Sequence, residues 1–379
     1  MKSPATAPSR VRLEVDLAAL ESNFRKIRAA VAPLGAIAVL KADAYGLGMP
    51  PLARRLVAAG AAGIATAELK EALAAQAATG GKVPVGVLGS LLPDEIAPAV
   101  RAGIRIPLSD PDEARAVSAA AVRARRAARC HVALDTGMSR VGVRLDEADE
   151  MIARFAALPG IEIEGLYSHV PTANVPGDPA TAAQVRAVKA LARRLAARGI
   201  RLPALHLANS DGIGLVPAAC RAPFTHVRAG IGMYGAADPA ANARLGLAPV
   251  FALKARLAQV RRVPAGATLG YGRTYRLARE TLVGTVAAGY ADGLPLALSN
   301  RGSVLVGGAA CPVIGRICMD FTTISLEQVP GARVGDECVL LGRQGDREIP
   351  IFDWASLQGT HPHDILGAFG RRVDRVHLG

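Results

Sequence analysis

Aromatic residues and long apolar runs are both scarce in this chain of 379 residues. Phe, Trp and Tyr together make up 4% of it, although hydrophobic residues make up 51%, so we expect a core of Ala, Val, Leu and Ile. No apolar run approaches about 20 residues, the length that spans a bilayer, and the N-terminal sequence MKSPATAPSRVRLEVD has no apolar signal segment. These absences predict a soluble, cytoplasmic protein without a membrane partner.

Cysteine is scarce as well, and its pattern excludes two common uses. The five cysteines are odd in number and form no C-x-x-C pair, so neither a zinc site nor a disulfide framework is indicated. The close histidine pair in GTHPHDIL has no evident third metal ligand. We therefore expect reduced, mostly buried thiols and no metal.

Lysine is rare although the chain carries a formal net charge of +13, because nearly all of its cations are arginines. The basic residues are scattered, and no aromatic-interleaved basic surface or nucleic-acid motif accompanies them. We therefore expect no nucleic-acid partner, and we interpret the charge as a solvated basic face that favours an anionic small molecule. The lysines are Lys2, Lys26, Lys41, Lys70, Lys82, Lys189 and Lys254.

The order of apolar runs predicts an α/β fold. From about Leu13 to Gly235, short apolar runs alternate with helical stretches, which is the pattern of βα units around a parallel sheet. Eight such runs within about 230 residues fit a (β/α)8 TIM barrel, with a doubly wound sheet as the alternative. The runs are residues 36–42, 63–67, 83–89, 105–109, 129–135, 161–169, 202–210 and 226–231.

A change of pattern after Asn242 predicts a second domain. The later sequence consists of β-rich segments separated by Gly and Pro, such as LGYGRTYRL and GDECVLLG. We therefore predict a barrel over residues 12–243 and a mainly β domain over residues 244–379, joined by the N-terminal segment 1–11.

Polar residues follow several of the predicted strands. In a TIM barrel the chemistry lies at the carboxyl ends of the strands, so these side chains should meet at one mouth. Singly, each has the simpler interpretation of a solvated residue at the end of a strand. The polar positions are Lys41, 135–140, Ser168, His169, Asn209, Ser210 and Arg228.

The sequence GIGMYG, residues 230–235, matches G-x-G-x-x-G but does not predict dinucleotide binding. That motif needs to follow the first strand of a βαβ unit, with an acid about 20 residues later, and here it follows the last barrel strand. A glycine-bearing loop after the late strands of a barrel is instead a place for phosphate. A phosphate cradle facing the isolated Lys41 indicates pyridoxal phosphate, an aldehyde that lysine holds as a Schiff base.

Eight ordered motifs carry a resemblance to the alanine racemase family over essentially the whole chain. These pyridoxal phosphate enzymes combine a TIM barrel with a β domain, so the resemblance implies the same architecture here. The motifs are VLKADAYGLG around Lys41, LDTGMSRVGV around Arg140, YSHVPTAN around His169, HLANS ending at Ser210, VRAGIGMYG around Arg228, GYGRTY around Tyr271, GYADGLP around Tyr290 and IGRICMD ending at Asp320.

The resemblance implies roles for the catalytic residues and the substrate-binding residues. Lys41 would be the Schiff-base lysine and one of two catalytic bases, while Tyr271 would be the other base, contributed by the partner subunit of a homodimer. Arg140 and the backbone of Met319, the latter again from the partner, would bind the substrate carboxylate. Tyr290 would line the entrance.

The resemblance also implies which residues hold the cofactor. Tyr45, Ser210, Gly230 and Ile231 would bind the phosphate, whereas Arg228 would face the pyridine nitrogen. His169 would link Arg228 to Tyr271.

Two positions depart from the family pattern. The family usually has a carbamylated lysine two residues before the aspartate of the DTGM motif, where this chain has Ala133. The negative charge that would steady Arg140 is therefore missing from that position, and a chloride ion or another side chain is needed to replace it. The family's phosphate-binding tyrosine near the C-terminus is replaced by His363, which we expect to contact phosphate.

The resemblance implies an isomerase that interconverts L- and D-alanine and supplies D-alanine for peptidoglycan. Three alternatives remain at this point: an amino acid racemase of broader range acting on serine, lysine or arginine, a decarboxylase on the same barrel, and a non-catalytic pyridoxal phosphate carrier. The β domain and Tyr271 argue against the carrier, since a single-barrel carrier needs neither.

Overall fold

The computed structural model describes residues 9–379, which form two compact units. Ala19–Ala248 forms the first unit, and Pro249–Gly379 forms the second together with the residues up to Ala18. The sequence predicted a barrel that begins at residue 12 and ends at residue 243, followed by a second domain from residue 244. Strand β1 (Arg12–Asp16) belongs with the second unit because it pairs with two of that unit's strands. Helix α1 (Leu17–Val31) follows it.

A parallel eight-stranded barrel forms the first unit, as predicted, and the doubly wound alternative is wrong. The strand order is β4-β3-β2-β10-β9-β8-β6-β5, and a bridge between Gly86 and Arg105 joins the two ends of this order. A short strand β7 (Val143–Arg144) pairs with β6 outside the ring. The barrel strands are β2 (Gly35–Val39), β3 (Gly63–Thr66), β4 (Val85–Val87), β5 (Ile106–Leu108), β6 (Ala128–Asp135), β8 (Ile161–Tyr167), β9 (Ala204–His206) and β10 (His226–Ala229).

Helical segments connect the barrel strands, and local sequence explains where several of them begin. Asp110, Asp178 and Asp238 each cap a helix by accepting hydrogen bonds from backbone N–H groups of its first turn, and a proline follows each aspartate. The segments are α2 (Lys41–Tyr45), α3 (Met49–Ala58), α4 (Leu69–Thr79), α5 (Pro93–Ala102), α6 (Pro111–Ala124), α7 (Ala148–Ala156), α8 (Pro179–Ala197), α9 (Ser210–Leu215) and α10 (Pro239–Leu245).

The second unit is mainly β, as predicted. Its long strand β11 (Phe251–Val263) alternates buried and accessible residues over its first half, which is typical of a strand with one face on a core. The other strands are β12 (Thr268–Leu269), β13 (Tyr275–Arg276), β14 (Thr281–Val286), β15 (Ser303–Val306), β16 (Ala309–Pro312), β17 (Thr322–Ser325), β18 (Glu337–Gln344), β19 (Arg347–Ile349) and β20 (Asp374–Leu378).

One sheet contains most of these strands. Its central order is β16-β15-β18-β11-β1-β20, with β14 paired to β11 and β17, and β19 paired to β18. Strands β12 and β13 form a separate hairpin. Two helices complete the unit, α11 (Ile351–Gln358) and α12 (Pro362–Gly367).

Side-chain burial agrees with the composition. The described core is dominated by Ala, Val, Leu and Ile, and all five cysteines are free thiols. Over residues 9–379, no helix is both long enough and apolar enough to cross a membrane.

Candidate active site

The barrel places the predicted polar residues of the first unit at the ends of its strands. Lys41 begins the segment after β2, His169 follows β8, and Ser210 begins the helix after β9. Arg228 lies within β10, and Gly230 follows that strand. The parallel strands of a closed barrel end on the same side, so these residues share one rim.

Lys41 is followed by a left-handed turn. Ala42, Asp43, Ala44 and Tyr45 all have φ between 51° and 60°, a conformation that costs a residue with a side chain about 1–2 kcal/mol. Asp43 stabilises the turn by accepting a hydrogen bond from the N–H of Met49 at 2.7 Å. This turn therefore lowers the stability of the fold, and in return it fixes the directions of the Lys41 and Tyr45 side chains.

Two effects lower the pKa of Lys41 below its ordinary value. Partial burial disfavours the charged ammonium, and the positive charge of Arg140 repels it, whereas Glu71 acts in the opposite direction. The lysine residue as a whole is still solvent-accessible. A larger fraction of neutral amine makes Lys41 a better nucleophile and base.

A carboxylate organises the loop that carries Arg140. One oxygen of Asp135 accepts hydrogen bonds from the N–H groups of Gly137, Met138 and Ser139 at 2.9, 3.1 and 3.0 Å. Burial opposes ionisation of Asp135, but these bonds lower its pKa overall. Arg140 itself is exposed, and among residues 9–379 no hydrogen bond or ion pair holds its guanidinium, so it is available to bind an anion.

The guanidinium of Arg228 is buried and held by hydrogen bonds. Nη2 donates to the carbonyls of Ser168 and Leu207 at 2.7 and 3.1 Å and to Nδ1 of His169 at 3.2 Å. Nη1 donates to Nδ1 and to the carbonyl of His206 at 2.9 and 3.2 Å. These contacts occupy the two amino groups, so Nε–H is the donor that remains for a ligand.

Protonation states around Arg228 follow from burial. Desolvation lowers the pKa of Arg228 to about 10, so the guanidinium stays charged at neutral pH. Desolvation and the charge of Arg228 lower the pKa of His169 to about 3, so its imidazole is neutral. Any positive potential along this pair therefore comes from the arginine.

Ser210, Gly230 and Tyr45 form a small cradle. The Ser210 hydroxyl accepts hydrogen bonds from the N–H groups of Gly230 and Gly232, both at 3.0 Å. Both lone pairs of the hydroxyl are then used, which leaves its O–H to donate to an anion. Burial raises the pKa of Tyr45, so its phenol also stays protonated and can donate. Ile231 begins the 3₁₀ turn that follows Gly230.

The cradle fits a phosphate group because Gly230 leaves it open. A Cβ at Gly230 would lie 2.6 Å from the Tyr45 hydroxyl oxygen, closer than a carbon atom can approach. The donors, the missing side chain and the nearby lysine together suit a phosphorylated aldehyde such as pyridoxal phosphate.

We therefore predict that Gly230→Ala loses affinity for pyridoxal phosphate by about tenfold or more, since the new methyl displaces Tyr45 and narrows the cradle. Cofactor titration followed by absorbance measures this. Gly331→Ala is the matched control, because a Cβ there meets nothing within 4 Å. Unchanged cofactor affinity in Gly230→Ala would contradict the assignment of the cradle.

The second unit presents its predicted residues on exposed loops. Tyr271 is 69% exposed, Met319 52% and Tyr290 43%. Tyr271 begins a tight turn between β12 and β13, flanked by Gly270 and Gly272 with φ of 67° and 72°. A cluster of buried side chains anchors the strands around this turn, namely Val263, Leu269, Leu277, Val283 and Ile314.

Backbone contacts bring these three loops together. The Cα of Gly270 packs so closely on Arg316 that a Cβ would lie 3.1 Å from its backbone nitrogen. The N–H of Tyr290 donates to the carbonyl of Cys318 at 3.0 Å, and the N–H of Ala291 donates to that of Met319 at 3.1 Å. The three loops are therefore neighbours, and each carries an exposed large side chain.

Arg372 forms ion pairs with carboxylates on two of these loops. It donates through Nε to the buried carboxylate of Asp292 at 2.8 Å, and its Nη1 lies 2.8 Å from a carboxylate oxygen of Asp320. Asp292 also accepts from the N–H of Gly289 at 2.9 Å. The same arginine thus holds the segment of Tyr290 and the segment of Met319.

Comparison with known proteins decides the family. The profile described as "Alanine racemase, N-terminal domain" matches residues 15–238, and "Alanine racemase, C-terminal domain" matches residues 250–377. The chain belongs to the alanine racemase family.

Individual members agree with this placement. An alanine racemase of Symbiobacterium thermophilum is 36% identical over 367 residues, which cover 97% of this chain and 96% of that protein. The crystal structure of alanine racemase from Streptomyces lavendulae matches with a TM-score of 0.92 at 35% identity, over 98% of each chain. Alanine racemase from Bartonella henselae, solved with covalently bound pyridoxal phosphate, matches with a TM-score of 0.87 at 27% identity, over 98% of this chain and 100% of that one.

Three expectations from the sequence are thereby confirmed: the family, the barrel with a β domain, and the class of enzyme. The chain is a pyridoxal phosphate-dependent isomerase that interconverts L- and D-alanine. Both domains of the family are matched, which disfavours a single-barrel carrier. The roles of individual residues stay predictions.

The predicted phosphate contact of His363 stays a prediction too. His363 lies in α12 of the second unit, is exposed, and packs edge-on against His361 with ring centroids 5.3 Å apart. Within the described residues, no group of three His, Cys, Asp or Glu side chains could hold a metal ion.

Several supporting residues were missed by sequence reasoning. Gln184 donates to Thr136 Oγ1 at 2.8 Å and to the carbonyl of His169 at 3.2 Å, so it braces two site loops. His206 was quoted within HLANS but given no role. The signal for His206 was a titratable side chain inside an apolar strand run, whereas Gln184 offered none beyond its place in a helix.

Proposed function

We propose that Lys41 and Tyr271 are the two proton-handling groups of alanine racemisation, with Tyr271 contributed by a partner subunit. Inversion of a stereocentre requires a proton to leave on one face and another to arrive on the opposite face. The lowered pKa of Lys41 supports its role as one base. The exposure of Tyr271 on the surface of its own unit supports its use by a second copy.

The cofactor, when bound, supplies the electron sink for the carbanion at the amino acid Cα. Ser210 and Tyr45 would hold its phosphate through their hydroxyl groups and Ile231 through its backbone N–H, while Gly230 would leave the space that the phosphate needs. Nε–H of Arg228 would donate a hydrogen bond to the pyridine nitrogen and would keep its proton, because a guanidinium stays protonated near neutral pH. Arg228 would thereby restrain side reactions that need a protonated ring.

Substrate orientation comes from the carboxylate. We assign its binding to Arg140, whose guanidinium carries no other hydrogen bond in the described chain, and to the backbone N–H of the partner's Met319. Ala133 is 2% exposed and carries no charge. Another anion must therefore replace the carbamylated lysine of the family beside Arg140, and we propose a chloride ion.

Homodimer assembly is supported by the exposed loop surface of the second unit. Tyr271, Tyr290, Met319 and Phe321 are each more than a third exposed although all are large and apolar or aromatic. Several exposed large apolar side chains on neighbouring loops are uncommon on a protein that functions alone, and they support an interaction site here. Tyr290 would line the entrance to the substrate pocket.

The purified protein is expected to convert L-alanine into an equal mixture of the two enantiomers. Its absorbance spectrum is expected to show the band of pyridoxal phosphate bound to a lysine. Lys41→Ala should lose both properties, because no other amine replaces it. Lys189→Ala is the control, since that lysine lies on helix α8. Carbon dioxide release would indicate a decarboxylase, and faster racemisation of serine, lysine or arginine than of alanine would indicate a broader-range enzyme.

We place the enzyme in the cytoplasm, supplying D-alanine for peptidoglycan. The support for this role is the product of the reaction, because the family resemblance implies that D-alanine is used as a precursor of the cell wall. A strain without this gene that grows normally without added D-alanine, and contains no second racemase, would contradict this role.

A further inference from the structure

Three side chains form a row across the barrel interior, beginning at the proposed cofactor-binding arginine. Nη1 of Arg228 on β10 lies 2.9 Å from Nδ1 of His206 on β9. Nε2 of the same imidazole lies 3.2 Å from Nδ1 of His131 on β6. His131 was not among the residues singled out in the sequence.

The direction of each hydrogen bond in this row follows from the arginine. A guanidinium has donors only, so Nδ1 of His206 must be an acceptor and carry no proton. The proton of the neutral ring is then on Nε2, which donates to His131. Nδ1 of His131 must therefore accept, and this ring carries its own proton on Nε2.

Both imidazoles are neutral in the working range of pH. Desolvation, followed by the charge of Arg105, lowers the pKa of His131 to about 4. Desolvation and the charge of Arg228 lower the pKa of His206 well below its ordinary value. A protonated His206 would also carry a proton on Nδ1, which would then face the N–H donor of Arg228. The lowered pKa values therefore agree with the hydrogen-bond geometry.

The surroundings hold both rings in place. Tyr167 stacks on His206 with an interplanar angle of 3° and a centroid distance of 5.3 Å, and its hydroxyl donates to the carbonyl of Leu88 at 2.8 Å. Gly165 provides the space for His131, because a Cβ there would lie 2.8 Å from Nδ1. The row is therefore built into the packing of four strands, β6, β8, β9 and β10.

We propose that His131 is a positioning residue for the active site: it accepts the Nε2 proton of His206 and so holds His206 in the tautomer that Arg228 requires. The proposal rests on the proposed role of Arg228 at the cofactor. His131 touches neither cofactor nor substrate and acts only through the other two side chains.

Removal of the acceptor leaves two arrangements, and both are costly. If the proton stays on Nε2 of His206, a buried donor has no partner, and the imidazole loses the contact that fixes its ring. If the proton moves to Nδ1, two donors face each other at the 2.9 Å contact with Arg228. The guanidinium must then move away from His206, and the direction of its Nε–H changes with it.

Two variants at one position separate this role from simple packing. In His131→Asn the amide oxygen stands close to where Nδ1 was, so the acceptor is kept. In His131→Leu the volume is similar but the acceptor is lost. His226→Leu is the control for loss of a barrel imidazole outside the row, since His226 bonds to Thr225 instead.

The first readout needs no activity. Selectively labelled histidine in the holoenzyme reports the tautomer of each ring by NMR, with His206→Asn used for assignment. We expect His206 to carry its proton on Nε2 in the unaltered protein and in His131→Asn. A Nδ1-protonated or doubly protonated His206 in the unaltered protein overturns the proposal, and this result does not depend on how any variant at residue 131 folds.

The second readout is kinetic and spectroscopic. We expect His131→Leu to lower kcat by about tenfold or more with little change in KM, because Arg228 acts on the cofactor and not on the substrate carboxylate. Its bound-cofactor absorbance should shift, while His131→Asn and His226→Leu stay close to the unaltered enzyme. Equal effects of His131→Asn and His131→Leu overturn the proposal, whereas an unaltered protein without racemase activity would refute the proposed function and not the tautomer assignment.

Discussion

Subunits with Lys41→Ala and subunits with Tyr271→Phe, each nearly inactive alone, are expected to regain about one quarter of native activity when co-expressed in equal amounts. Half of the randomly formed dimers are then hybrids, and each hybrid has one site with both groups intact and one with neither. The measurement is the rate of D-alanine formation per subunit, in comparison with each variant alone.

The control for this experiment combines two variants of the same unit. Lys41→Ala with Arg228→Ala should not regain activity, because every site of such a hybrid lacks one of the two barrel residues. A mixture of Lys41→Ala and Tyr271→Phe that stays inactive, although tagged subunits prove that hybrids form, would show that Tyr271 does not serve a neighbouring barrel.

Tyr271→Phe alone is expected to slow racemisation by about 10²–10⁴-fold, the usual contribution of a positioned acid or base. Lys41 still removes and returns a proton on its own face, so one enantiomer of alanine should exchange its Cα hydrogen for deuterium in D₂O. The other enantiomer should not. Proton NMR of L-alanine and D-alanine incubated separately with the variant measures this asymmetry.

Tyr275→Phe is the matched control, because Tyr275 lies four positions along the chain, on β13, and packs against the buried cluster. It should racemise alanine and exchange both enantiomers as the unaltered enzyme does. Exchange of both enantiomers by Tyr271→Phe would mean that another group serves the second face, and the assignment of Tyr271 would be wrong.

Much of the barrel could be predicted from the sequence. Each of the eight apolar runs overlaps one barrel strand, because a parallel strand buried on both faces consists mostly of apolar residues, as in β3 and β5. The grouping of β1 could not be predicted, since a short strand near the N-terminus shows nothing of its pairing partners. Its register with β11 and β20 is set by tertiary contacts alone.

The candidate site was predictable at the level of residues but not at the level of atoms. Lys41 stood out through its isolation and its place after an apolar run, and Gly230 through a glycine motif in the wrong position for a dinucleotide. The left-handed turn after Lys41 was not predictable, because alanine, which stands at Ala42 and Ala44, has no preference for positive φ. Surrounding hydrogen bonds impose that conformation on them.

The sequence by itself determined where helices and strands form and which residue types reach the barrel rim, because propensity, capping and apolar period act over a few neighbouring positions. Only the tertiary structure decided which donors and acceptors meet. His131 and His206 are 75 residues apart in the chain, and their contact depends on the pairing registers of β6, β8 and β9, since a slip of one residue would turn either ring to the other face of the sheet. Such registers are set by the packing of the whole barrel, so no local pattern encodes them.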